Sequence, residues 1–273
     1  MVRFLRPFAC LILATAALEA QGNLSDLFSI IRTEGPALSE TARTRTFEIL
    51  RHYSTGEDLA GEWQAINEAL SDAKPFVRDQ ACAVLATVVY LNSARPIALP
   101  DATRELVLQR FGDAIPNLRE NAVRVIALTA GGVPTAIEPQ LLQMARTDSA
   151  SNVRRVAILA LASVRTPNAE IRGFWVQSLN DVQDKGLRGM VLNAFRFNRQ
   201  TDPRIISLVI DALRDKDYFV RQEAIAAVMK IGKPAASALP LLIEIRDAQM
   251  SDEAMRANAE AAIRVLAASP VNR

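Results

Sequence analysis

One arrangement of apolar and polar positions recurs along this chain. An apolar residue precedes an arginine, a small residue stands three places after the arginine, and an apolar pair follows at six and seven. The seven copies begin with Arg43 (Thr46, Ile49, Leu50), Val77-Arg78 (Ala81, Val84, Leu85), Leu118-Arg119 (Ala122, Val125, Ile126) and Val153-Arg154 (Ala157, Ala160, Leu161). Leu187-Arg188 (Val191, Ala194, Phe195), Val220-Arg221 (Ala224, Ala227, Val228) and Met255-Arg256 (Ala259, Ala262, Ile263) complete the set. Successive arginines are 35, 41, 35, 34, 33 and 35 residues apart. A near-constant step of this size marks stacked supersecondary units.

Each unit reads as two helices. At 100° per residue, positions −1, +3, +6 and +7 around each arginine fall on one stripe, which predicts an amphipathic helix with a buried face. A second helical pattern precedes it in most units, at Ala136 to Ala145, Glu170 to Leu179, Arg204 to Leu213 and Ala235 to Ile245. Between the two lie short polar turns, such as Ser71 to Pro75, Arg146 to Ser149 and Arg214 to Asp217. Asp in these turns suits a helix cap, and Pro75 and Pro116 suit a first helical position. Alternating β-branched runs with Asn-Gly turns are missing, so no strand competes.

The turn and arginine together carry a family likeness. Asp72-Ala73-Lys74-Pro75-Phe76-Val77-Arg78 and Asp113-Ala114-Ile115-Pro116-Asn117-Leu118-Arg119 resemble the D-x-x-P-x-V-R signature of short bacterial HEAT repeats, also seen in phycobilin-lyase-like proteins. Asp148 to Arg154 and Asp215 to Arg221 keep the spacing without the proline, whereas Arg188 has its Asp seven residues back, at Asp181. The Trp-Leu-Gly-Tyr and Thr-Pro-Leu-His marks of tetratricopeptide and ankyrin repeats are absent. The resemblance covers about 230 residues from roughly Ser39 onward. It implies an all-α, right-handed α-solenoid of about seven HEAT-like, armadillo-like helix pairs. It also implies that Asp72, Arg78, Asp113, Arg119, Asp148, Arg154, Asp215 and Arg221 form a structural ladder between neighbouring repeats rather than a phosphate track.

The N-terminus departs from the repeat. Arg3 and Arg6 precede an apolar stretch from Phe8 to Leu18 and then small residues, the order of parts of a secretory signal peptide. About eleven apolar residues are too few to span a membrane, which takes about twenty. The expected division is therefore 1–20 as signal and 21–273 as repeats, with cleavage after Ala16, Ala20 or Gly22, and the protein is expected to be exported, periplasmic or secreted. No stable membrane insertion is expected after cleavage. Cys10 lies within the signal, so Cys82 would be left as a single thiol with no intramolecular disulfide.

Composition narrows the chemistry. The chain of 273 residues carries 32 Lys plus Arg against 30 Asp plus Glu, a net charge of +2. Cleavage after Ala20 would leave 30 against 29, which supplies no field for nucleic acid or anionic membrane. One histidine and two cysteines are too few for an ordinary zinc site without a carboxylate. No cofactor or metal is expected.

Several motifs invite chemistry and have simpler readings. Ser71-Asp72-Ala73-Lys74 matches the S-x-x-K of penicillin-recognising enzymes, but S-D-N and K-T-G do not occur and the motif sits in a repeat turn. His52, the one imidazole, falls at a helix end. The pairs Asp215 with Asp217 and Asp252 with Glu253 read as solvated turn residues. Asn23-Leu24-Ser25 is a glycosylation sequon only in a glycosylating host. Trp63 and Trp175 stand on first helices, expected in packing.

Helical solenoids usually bind partners on the concave face lined by second helices. With the core stripe fixed, positions +1, +2, +5 and +9 look outward. They carry Asp79, Gln80, Glu120, Asn121, Arg124, Gln222, Glu223 and Lys230 in flanking repeats, and Val156, Leu159, Met190 and Phe197, with Arg155 and Asn193, in the middle. Contiguous apolar residues on an open face mark contact sites. The alternative is that the irregular unit at Arg188 is rotated, with Met190 and Phe197 in the core. A second candidate is Asn92 to Thr103, where the 41-residue step inserts about six residues with Pro96 and Pro100. The sequence thus points to an exported, non-catalytic scaffold for a protein partner. A phycobilin-lyase-like enzyme or an accessory subunit of an extracytoplasmic enzyme is the alternative, and nucleic-acid binding is disfavoured.

Overall fold

The computed structural model describes residues 23–268 apart from residues 38, 54–58, 60, 182, 197–199 and 249–251, and describes no side chains for residues 46, 47 and 50–52. The signal-like segment, Cys10 and Phe197 lie outside the described residues, as does the side chain of His52. Among the described residues there are helices and turns and no strand.

Fourteen α-helices form in order among these residues. They are α1 (Leu24–Glu34), α2 (Glu40–Tyr53), α3 (Trp63–Leu70), α4 (Pro75–Leu91), α5 (Asp101–Gln109), α6 (Pro116–Leu128), α7 (Glu138–Thr147), α8 (Ser151–Ala162), α9 (Ala169–Asn180), α10 (Lys185–Phe195), α11 (Pro203–Asp211), α12 (Tyr218–Ile231), α13 (Leu239–Asp247) and α14 (Glu253–Ala267). The even-numbered helices hold the recurrent arginine and the odd-numbered ones precede them. The chain divides into two compact units between Gly132 and Val133, just after Gly131 and Gly132, which both have positive φ. In the first unit α4 packs on α6 and α3 on α5; in the second α8, α10, α12 and α14 succeed one another, and α9 packs on α11.

The stripe read from sequence is the core. Val77, Ala81, Leu85, Leu118, Ala122, Ile126, Val153, Ala157, Leu161, Val191, Phe195, Val220, Ala224 and Val228 are all buried. Alanine at +3 in most units lets neighbouring helices approach, and a branched residue there would overpack. Helix starts follow local chemistry. Pro75, Pro116 and Pro203 occupy first-turn positions. The side chains of Asn23, Asn168, Asp184, Asp202, Asp217 and Asp252 accept backbone N–H bonds at the starts of α1, α9, α10, α11, α12 and α14. Asn23 of the sequon is therefore half of a capping box with Asp26.

Candidate functional site

The recurrent turn is built by one device repeated. In each regular copy, the Asp Oδ1 accepts the N–H two residues on: Lys74 at 2.8 Å, Ile115 at 3.2 Å, Ala150 at 2.9 Å and Asp217 at 2.8 Å. The arginine six residues later donates Nη1 back to the Asp carbonyl, at 2.9 Å for Arg78, 2.8 Å for Arg119, 2.8 Å for Arg154 and 2.7 Å for Arg221. The same nitrogen also reaches the next carbonyl along. The fork thus satisfies carbonyls that a tight turn would leave exposed.

In Arg78 the remaining edge of the guanidinium faces the neighbouring repeat. Arg78 Nη2 meets Asp113 Oδ2 at 3.2 Å, with side chains 17% and 7% exposed. Arg32 Nε meets Asp72 Oδ2 at 2.7 Å, and the Arg32 guanidinium beside Asp72 holds that carboxyl below the usual range. Arg32 belongs to α1 and to no copy of the arginine motif, so periodicity did not single it out. Arg188 pairs with Asp215, both almost buried. That unit's own turn differs: Asp181 accepts from the N–H of Gln183 and Asp184, and Asp184 caps α10. Arg188 keeps the inter-repeat pair, and its Nε has no hydrogen-bond partner.

The expected outward face needs correction at several positions. Val156 is 4% exposed and Asn193 6%, so neither is presented to a partner. Glu120 and Glu223, also expected outside, are buried. For Asn193 and Glu223 the reason is that α10 packs between α8 and α12, and α12 between α10 and α14, so both flanks of each stripe are covered. Asn193 Nδ2 donates to Glu223 Oε2 at 2.9 Å from α10 to α12, with Arg196 at 3.4 Å from the same carboxylate. Arg124 pairs with Glu120 one turn away on α6. Leu159, Met190 and Arg155 are half-exposed.

The inserted segment does not simply protrude. The Ala130 N–H donates to Ile97 O at 2.8 Å, Leu99 is buried, and Thr103 Oγ1 donates to Asn67 Oδ1 at 2.7 Å. Residues 93–96 are exposed.

The apparent chemical motifs are held in packing. Lys74 Nζ donates to Arg32 O at 3.0 Å, which gives the S-x-x-K lysine a structural bond. Trp175 is fully buried, with its ring edge-on to Phe195 at 5.3 Å. Cys82 is enclosed in α4, and burial pushes its thiol up to about 12. On the same helix Asp79 has a buried Oδ1 without a partner, and burial, with the Asp113 charge, raises its carboxyl above the usual range. Among the described residues no group of three or more His, Cys, Asp or Glu is placed to hold a metal ion, and no helix is long and apolar enough to cross a membrane.

One concavity stands on the other side of the second unit. Ala169, Arg172, Gly173 and Val176 of α9, with Arg204 of α11, line a dent of about 250 Å³. Arg172 donates to the carbonyl of Pro167. Arg204 grips Asp202 through Nε at 3.4 Å and Nη2 at 3.1 Å.

Paired helices stacked in a fixed register, joined by a repeating carboxylate and guanidinium, define a helical-repeat protein. Residues 174–264 match the family model described as HEAT repeats. The chain is similar to a designed armadillo repeat protein in complex with the peptide (KR)4, at 18% identity over 89% of this chain and 99% of that one, with a TM-score of 0.40. It is likewise similar to a computationally designed armadillo repeat protein for modular peptide recognition, at 18% identity over 89% and 99%, with a TM-score of 0.39. Likenesses this loose decide nothing about function. No curated protein matches the chain.

Proposed function

We infer that the protein is an exported, non-catalytic scaffold that binds a segment of a protein partner on the face formed by its second helices. The observation that carries this reading is the second unit itself. Helices α8 and α10 lie side by side and leave Leu159 and Met190 half-exposed beside the polar bridge Asn193, Glu223 and Arg196. Half-buried apolar groups next to groups already fixed by hydrogen bonds make a preorganised contact surface. Titratable groups in this region hold helices together and do not converge on an open pocket, which favours binding over chemistry. Export rests on the order of charged, apolar and small residues from Met1 to Ala20.

The test is affinity capture from the exported fraction, wild type beside Leu159→Asp/Met190→Asp. Both positions reach solvent, so the double variant keeps its helical content. A partner held by the wild type and lost in the variant, then rebuilt from purified components with at least a tenfold difference in Kd, agrees with the reading. Equal retention removes this face as the binding surface. Absence of the mature chain from the exported fraction removes export.

A further inference from the structure

Two helical glycines in the second unit differ in a way that packing explains for one only. At Gly189 an added Cβ would run into the Phe219 ring, which crosses α10 there and would have to turn aside. At Gly173 a Cβ would meet nothing within 4 Å, and the backbone is ordinary helix. An exposed glycine inside a helix costs about 1 kcal/mol relative to alanine, and no close approach requires it here. What the missing side chain does provide is the floor of the dent between α9 and α11.

The rim of that dent is cationic and its floor apolar. Arg172 and Arg204 stand on it, and no carboxylate lines it. Asp202 lies behind Arg204, and its carboxyl is held low first by the Arg204 hydrogen bonds and, more weakly, by the charge of Arg172. Asp202 is thus bonded to Arg204 and feels the charge of Arg172, whose own hydrogen bond is to a neutral carbonyl. A volume near 250 Å³ is below the range of about 300–1,000 Å³ usual for whole small-molecule ligands. It suits one side chain whose remainder lies outside, on the exposed surfaces of α9 and α11.

We propose that this dent is a docking site for an acidic linear segment of a partner protein, which seats a glutamate stem on Ala169, Gly173 and Val176 and its carboxylate between Arg172 and Arg204. The inference rests on the scaffold reading above but uses a different face, the one made by first helices. Guanidinium is suited to this task because its planar fork donates to a carboxylate with two parallel bonds. The short apolar floor selects an anion carried on a methylene stem over a bare inorganic one.

The probe is a fluorescein-labelled hexaglutamate peptide, followed by anisotropy and by the amide resonance of Gly173 in the ¹⁵N-labelled full chain. Hexalysine and inorganic phosphate serve as comparisons. The expected result is that hexaglutamate binds, shifts the Gly173 resonance, and binds at least about tenfold more tightly than hexalysine. Gly173→Leu fills the dent without lowering the melting temperature and weakens binding at least about tenfold; Arg172→Gln/Arg204→Gln does the same. Unchanged affinity in Gly173→Leu, no binding of hexaglutamate, or an equal resonance shift with phosphate would overturn the proposal. The Leu159→Asp/Met190→Asp variant is expected to bind hexaglutamate normally. If hexaglutamate fails while that variant still loses its captured partner, the dent falls and the scaffold reading stands. If hexaglutamate binding survives while the variant keeps every partner, the second-helix face falls instead.

Discussion

The turn from Asp215 to Arg221 and the turn before Arg188 lie in the same unit and solve the same problem differently. In the first, the Asp carboxylate fastens the N–H of Asp217 and the arginine clamps the carbonyls of Asp215 and Lys216. In the second, two aspartates divide the work: Asp181 holds the turn, Asp184 starts the helix, and Arg188 meets Asp215 of the next repeat. The comparison separates two duties that the six-residue motif fuses. The ion pair between repeats survives a change in where the turn aspartate stands. A first-unit contrast completes it: there the atom without a partner is a carboxylate oxygen, Asp79 Oδ1, while beside Asp215 it is Arg188 Nε.

Substitutions at five positions sharpen these contrasts, read as changes in chemical-denaturation midpoint. Arg188→Ala has the largest expected effect, a loss of about 3–5 kcal/mol, because it strands the nearly buried Asp215 carboxylate. Asp215→Asn in the same background should recover part of that loss; a single-variant cost below about 1 kcal/mol would make the pair unimportant. Arg221→Ala removes the clamp and should cost about 1–2 kcal/mol through unsatisfied turn carbonyls. Arg221→Lys, with charge but no fork, should recover little of it. Gly189→Ala should cost no more than about 1 kcal/mol, since the half-exposed Phe219 ring can turn aside and alanine gains helix propensity.

Asp79→Asn should give the opposite sign, a gain of about 1 kcal/mol at neutral pH. The folded-state carboxyl is raised, chiefly by burial and further by Asp113, so ionisation opposes folding. The burden is present in full above the raised folded value and shrinks as pH falls through it. It is gone below the unfolded value, near ~3.9. The advantage of the Asn variant should therefore vanish on acidification. A pH-independent gain would point to a packing effect instead.

Much of this architecture could be read from spacing, because a stripe at helical period repeated at a fixed step leaves few alternatives. Val77, Leu118, Val153 and Val220 entered the core as their register requires. The surface was harder. Val156 and Asn193 were expected to face outward because one helix in isolation has a single buried stripe, whereas a helix between two others loses both flanks to them. Arg32 escaped notice because its partner, Asp72, is forty residues away and lies on no shared periodic track. The dent at Gly173 left only a lone glycine in a helical pattern, and whether that glycine is crowded or open is a property of neighbouring helices.

The enclosed sulfur of Cys82 gives the first unit a chemical clock. A thiol at 0% exposure, with its proton held to about 12, has almost no thiolate to offer an alkylating reagent while α4 is packed. Labelling must wait for the surrounding helices to part. Its rate under excess reagent then records how often that part of the molecule opens, in an otherwise unaltered protein.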